Sequence, residues 1–165
     1  MFVLGIDPGL SRCGYGVVEA VGRKAEAVSI GVIRTPPSDP LPIRLARLQR
    51  EFRSLMSEFR PDAVAIERVF FQVNVSSAMG TAQAAGLAMA EGASFGADVF
   101  EYTPNQVKEA VGGWGAADKK QMQRMVQSLL SLPSPPEPAD AADAAAVALC
   151  HIAHAPFLER AKAAR

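Results

Sequence analysis

The feature that most restricts what this chain can fold into is its first segment, MFVLGIDPG, in which Phe2 to Ile6 run unbroken into Asp7, Pro8 and Gly9. A short apolar run bounded by turn residues reads as a strand buried on both faces. Pro8 and Gly9 end it, because Pro lacks a ladder donor and Gly turns freely. Asp7 therefore sits where a central strand leaves the core, and a carboxylate there is costly unless something pairs with it. Backbone donors in its own turn would suffice for an isolated Asp-Pro-Gly. Further carboxylates in comparable places point beyond that reading.

Two strands are expected after the turn, Tyr15–Val21 and Ala25–Thr35, separated by Gly22-Arg23-Lys24. Short turns between successive strands favour an antiparallel meander. Pro36, Pro37, Pro40 and Pro42 make a stiff connection. Leu41 to Arg60 then carries Leu45, Leu48, Phe52, Leu55, Met56 and Phe59 at helical spacing, which predicts an amphipathic helix. Asp62 to Glu67 (DAVAIE) is a short buried strand that, like the first, ends in a carboxylate. A strand after a helical crossover is expected to lie parallel to an earlier one. Arg68 to Val75 reads as a loop, followed by an Ala/Gly/Met helix from Ser76 to Phe95 and a fifth strand over Asp98–Tyr102. Helices are expected over Thr103–Val111, Asp118–Leu132 and Ala139–His154. The fold class is α/β: a five-stranded mixed sheet, three antiparallel strands then parallel additions, flanked by helices.

The chain has 165 residues, 49% hydrophobic and 21% charged, which suits one globular domain with a substantial core. That domain is expected over residues 1–155, with 156–165 a basic C-terminal tail carrying Arg160, Lys162 and Arg165. No apolar run reaches the roughly 18 residues of a membrane span. Met1 leads directly into a strand with no basic n-region, so the expectation is a cytoplasmic protein without an export signal. Cys13 and Cys150 form no CxxC, which fits a reducing compartment and offers neither a disulfide framework nor a zinc site. The formal net charge is +0, so any nucleic-acid surface must be local.

If the first and fourth strands are parallel neighbours, Asp7 and Glu67 emerge together at the carboxyl edge, where open α/β sheets place their sites. Asp140 and Asp143, in PADAADAAAVALCH, share a helix face and have no cation one turn away. A helix-dipole role accounts well for Asp140 and less well for Asp143. A salt bridge with Arg68 or another surface cation would account for Glu67. Taken together, carboxylates that would repel one another are relieved by a divalent cation. A hard oxygen set without a Cys or His cluster favours Mg²⁺ or Mn²⁺ over zinc.

IDPGLSRCGYGVV, AIERVFFQVN, GTAQAAG, TPNQVKEAVGGWGAADK and PADAADAAAVALCH, numerous and in order, resemble the RuvC family of bacterial Holliday junction resolvases from about Met1 to Ala155. The resemblance implies a ribonuclease H-like fold, with catalytic and metal-binding carboxylates at Asp7, Glu67, Asp140 and Asp143. Some relatives carry His at the position of Asp140. It implies hydrolysis of DNA phosphodiesters with two Mg²⁺ ions per site, Mn²⁺ substituting, to leave 5′-phosphate and 3′-hydroxyl ends. It also implies four-way junction DNA as substrate, a homodimer, a branch-migration helicase complex of the RuvA and RuvB type as partner, and a place in recombination and repair.

Candidate DNA contacts follow from the residues and the resemblance together. Phe70 matches the family's junction-inserting aromatic, and such stacking is worth roughly 1–3 kcal/mol; Phe71 is the second candidate contact, and the alternative is that one or both aromatics are core. Lys108 and Lys119 match basic positions near the phosphates, with Lys120 and Arg124 in the same segment. Arg12 and Arg68 flank the strand-end acids, and Asn74, Ser76 and Gln83 offer neutral donors. Trp114 reads as a loop anchor or a DNA contact, and His151 and His154 as packing or helix C-terminal cations. The Ala/Gly/Met helix is the expected dimer seam. The competing readings are another ribonuclease H-like nuclease acting on RNA or RNA–DNA hybrids, an actin-like ATPase or sugar kinase, and a catalytically silent DNA-binding module. The ATPase reading needs two such domains, and one 165-residue chain is too short for them.

Overall fold

The computed structural model describes residues 1–22, 24–69, 75–113, 115 and 117–163, with the side chains of 75–77 and 159–163 outside that description. The elements run β1 (Phe2–Asp7), β2 (Arg12–Val21), β3 (Lys24–Arg34), α1 (Leu41–Phe59), β4 (Ala63–Glu67), α2 (Val75–Ser94), β5 (Asp98–Tyr102), α3 (Pro104–Gly112), α4 (Lys119–Leu129) and α5 (Ala139–Ala163). The strands form one sheet in the order β3-β2-β1-β4-β5. The meander β1–β2–β3 is antiparallel, and β4 and β5 add in parallel beside β1. The first strand is thus central, as its unbroken apolar run requires.

Several boundaries differ from expectation; α4, for example, ends at Leu129 rather than Leu132. β2 begins at Arg12 rather than Tyr15, because its ladder with β3 continues through Cys13↔Ile33 to Arg12↔Arg34. α5 continues to Ala163, past its expected end at His154 and through Pro156, so residues 156–163 extend the helix. A proline removes one ladder donor and distorts a helix locally, and here the helix resumes beyond it. Ala139–Leu158 of α5 is long and apolar enough to cross a membrane by length and composition alone, and 61% of its 18-residue apolar window is buried inside the fold.

Strand parity decides which side chains meet which helices. Leu4, Ile6, Val64 and Ile66 pack on one face with Leu48, Phe52 and Met56 of α1 and Ala84, Ala85 and Ala88 of α2. Val3, Val18 and Ala65 face the other way, into a layer built on α5 with α3 and α4. By the same alternation Asp7 and Glu67 turn toward α5. That helix lies unusually close to the sheet. Its facing residues Ala141, Ala144, Ala145 and Ala148 are fully buried. The strands opposite present Gly5, Gly14 and Gly16. A Cβ at Gly14 would collide with the Asp140 carbonyl, one at Gly5 with the Ala144 carbonyl, and one at Gly16 would lie 2.8 Å from the Ala145 Cα.

The closeness of this seam sets an expected outcome. Gly16→Val must push α5 outward and should destabilise the protein by about 1–3 kcal/mol, the usual range for overpacking a dense core. A urea titration checks it, and an unchanged midpoint would show that the seam can yield.

Candidate active site

Asp7 closes β1 and Glu67 closes β4. The parallel ladder between these strands reaches Ile6↔Ile66, so the two acids occupy the next rung. Asp140 and Asp143 stand in the first turns of α5, which the glycine seam presses against β1 and β2. The four carboxylates line one cleft of about 360 Å³ with Lys108 of α3 and Lys119 of α4. Capping boxes fix both helix starts that frame it: Thr103 Oγ1 accepts from the Gln106 amide at 3.2 Å, and Asp118 Oδ1 accepts from the Gln121 amide at 2.8 Å.

The acids stand in one another's fields. Burial pushes the Asp7 carboxyl up to about 8, and Glu67, Asp143 and Asp140 push in the same direction, with Lys119 opposing. Glu67 is raised first by burial and then by Asp143, against Lys119 and Lys108. Asp143 is raised by burial, and Lys119 partly offsets this. Such a set favours positive charge.

Cations from elsewhere in the chain supply part of it, which spacing along α5 could not reveal. Arg12 donates Nε–H to Asp140 Oδ2 at 2.7 Å, with Nη2 at 2.5 Å from the same oxygen. Lys119 Nζ lies 3.8 Å from Asp143 Oδ2. Arg68 turns to Glu101 at 3.7 Å, so one of the alternative partners for Glu67 is engaged elsewhere. Among the described residues no three His, Cys, Asp or Glu side chains stand close enough to hold a metal ion as they are. The donor set nevertheless fits a hard divalent cation. It is all oxygen, three of its members are raised first by burial and then by neighbouring acids, and two are held by side chains that can swing away.

The other candidates divide. Lys120 and Arg124 are exposed on α4 and do not line the cleft. Gln83 is half-buried on α2, and Ser76 lies in its first turn with its side chain outside the description. Phe70, Phe71, Asn74 and Trp114 fall outside the described residues. The histidines pack, as expected for them: His151 Nδ1 lies 2.8 Å from the Tyr102 hydroxyl, and His154 Nδ1 lies 2.8 Å from the Cys150 carbonyl. The bracket behind the Asp7 turn leaves no signal along the chain. Thr35 Oγ1 donates to the Leu10 carbonyl at 2.5 Å, and Arg44 donates to Thr35 Oγ1 at 2.9 Å and to Ser11 Oγ at 2.5 Å. Arg44 reads along α1 as one more solvated cation, so only the docking of that helix exposes its role.

The raised acid has a measurable consequence in metal-free protein. The Asp7 carboxyl moves from 3.8 to about 8 on folding, so between those values the folded state binds more protons. Stability should therefore be full below about pH 4 on this account and fall as pH rises toward 8. Asp7→Asn should flatten that dependence and raise Tm at pH 8, by about 2–4 °C for each kcal/mol relieved. Thermal melts in EDTA across this range test it, and parallel profiles for the two proteins would refute it.

Comparison with known proteins agrees with this fold. The family model described as "Crossover junction endodeoxyribonuclease RuvC" matches residues 3–151. The protein of that name from Salinispora arenicola is 55% identical over 165 residues, 99% of this chain and 94% of its own length. That from Streptomyces avermitilis is 51% identical over 99% of this chain and 94% of its own. Among solved structures, Thermus thermophilus RuvC aligns with a TM-score of 0.87 at 37% identity, over 95% of this chain and 96% of that one. A T. thermophilus RuvC in complex with a Holliday junction substrate gives a TM-score of 0.87 at 34% identity over the same shares. A family model that matches nearly the whole chain, relatives more than half identical to it and the shared ribonuclease H-like sheet identify it: the chain belongs to the RuvC family of crossover junction endodeoxyribonucleases.

Proposed function

We propose that this protein resolves four-way DNA junctions by paired, symmetric, metal-dependent hydrolysis of phosphodiesters, leaving 5′-phosphate and 3′-hydroxyl ends, in recombination and repair in the cytoplasm. The observation that carries the reading is the convergence of four carboxylates, from two strand ends and one helix start, on one face of one sheet edge. Asp7, Glu67, Asp140 and Asp143 would hold two Mg²⁺ ions, with Mn²⁺ able to substitute; bound there, they supply Lewis-acid activation of water and charge stabilisation at the leaving oxygen. The chain's own contributions are positional. The seam under α5 holds Asp140 and Asp143 against the strand ends. Lys108 and Lys119 present positive charge where phosphate oxygens would lie. Lys120 and Arg124, exposed one turn apart on α4, suit a neighbouring stretch of backbone. Arg12, Arg68, Phe70, Phe71, Asn74, Ser76 and Gln83 belong to the proposed DNA surface, with Phe70 as the stacking residue.

A labelled four-way junction, a linear duplex of the same arms and an RNA–DNA hybrid, each with Mg²⁺, Mn²⁺ or EDTA, test the reading. Paired metal-dependent nicks on the junction alone are expected. Asp7→Asn should lower cleavage by at least about 10³-fold, the scale of losing a group that stabilises transition-state charge. Junction affinity should persist, since phosphate contacts supply most binding. Cutting of the hybrid instead would move the substrate to RNA.

Two matched cuts suit a two-fold dimer, since it presents two equivalent sites. The supporting feature is the outer face of α2, where Met79, Gly86 and Ala90 are exposed and a Cβ at Gly86 would meet nothing within 4 Å. Gly86→Glu is expected to give monomers in sedimentation equilibrium with the fold retained, and persistent dimers would exclude this face. A branch-migration helicase complex of the RuvA and RuvB type is the proposed partner.

A further inference from the structure

We propose that Arg12 makes metal loading depend on substrate: it holds Asp140 in the metal-free protein, and a phosphate of bound DNA draws it away and frees that carboxylate for the cation. This rests on the metal-site reading above. Arg12 engages one oxygen, Asp140 Oδ2, through both Nε and Nη2. Its backbone is fixed: the preceding Leu10–Ser11 segment is held by Thr35 and Arg44, and Arg12 itself pairs with Arg34 in the β2–β3 ladder. Exchange of partners is therefore a side-chain movement. With 45% of its side chain exposed, Arg12 is open to an anion arriving from solvent.

The chemistry of the exchange is balanced by kind. A guanidinium fork accepts a phosphate as readily as a carboxylate, and the same N–H edge cannot serve both. Once Arg12 turns to phosphate, Asp140 is left uncompensated beside Asp143 and Asp7, and the site's preference for a divalent cation rises. By linkage the effect is reciprocal, so a cation on Asp140 should also release Arg12 toward DNA. Lys119 is a weaker hold on the neighbouring acid. Its ammonium is 3.8 Å from Asp143, and its side chain is 81% exposed.

The test measures Mn²⁺ affinity by electron paramagnetic resonance in the full-length protein without DNA. Arg12→Gln should bind Mn²⁺ about 3-fold tighter than wild type, the scale of one partly exposed ion pair. Arg12→Lys, which keeps the charge and loses the fork, should also bind tighter. Lys108→Gln, which removes an equal charge from the cleft that Asp140 lines, measures the field alone. An unchanged Arg12→Lys, or Arg12→Gln no tighter than Lys108→Gln, overturns the proposal. A second readout follows the Arg12 Nε–H resonance, identified by its loss in Arg12→Lys. It should move when a junction is added in EDTA, using central linkages with methylene in place of the bridging 3′ oxygen, and when Mg²⁺ is added without DNA. A resonance unmoved by either also overturns it. Failure of the metal-site reading shows separately, as Mn²⁺ affinity that Asp7→Asn leaves unchanged, and that result overturns both.

Discussion

The contact between α5 and the strands β1 and β2 is the constraint on which the rest depends. It is built from alanines on one side and glycines on the other, so helix and sheet backbones approach nearly to contact. Asp140 and Asp143 reach the strand-end acids because nothing larger than a methyl group stands between the surfaces that carry them. Parity does the remainder. The alternation that sends Leu4 and Ile6 to one core sends Asp7 to the other side, and Ile66 and Glu67 divide in the same way.

This arrangement sets stability against function. Asp7 and Glu67 end strands whose preceding four residues are buried, and burial raises both carboxyls before any neighbouring charge is counted. A fold optimised for stability alone would place neutral groups there. The protein keeps the acids and tempers their repulsion with Arg12 and Lys119, both drawn from loop-adjacent positions rather than from the core. The start of α5 also contributes its positive end, which favours Asp140 in the first turn.

Much of this was legible in the sequence because it is local and repetitive. The run from Phe2 to Ile6, the DAVAIE strand and the spacing of Leu48, Phe52 and Met56 each carry their own period, so element types and the central first strand could be read directly. The carboxylates could be read as a set because each falls at the end or start of such an element. What could not be read depends on docking. Arg12 on Asp140, Arg68 on Glu101, and Arg44 on Thr35 and Ser11 join residues far apart in the chain, and a lone arginine looks the same in sequence whether it is solvated or paired. Pro156 misled for a related reason: proline ordinarily ends a helix, and α5 instead accommodates it.

The alanine–glycine seam has a consequence for motion. Neither residue type has rotamers to freeze, so mounting α5 on the sheet incurs almost no side-chain entropy. Nor does the seam contain side chains that can repack to let the helix slide in small steps. Freedom in this site is therefore confined to the torsions of the acids themselves and of the long cations that face them. The platform is stiff, and the adaptable parts are the few atoms that must exchange partners.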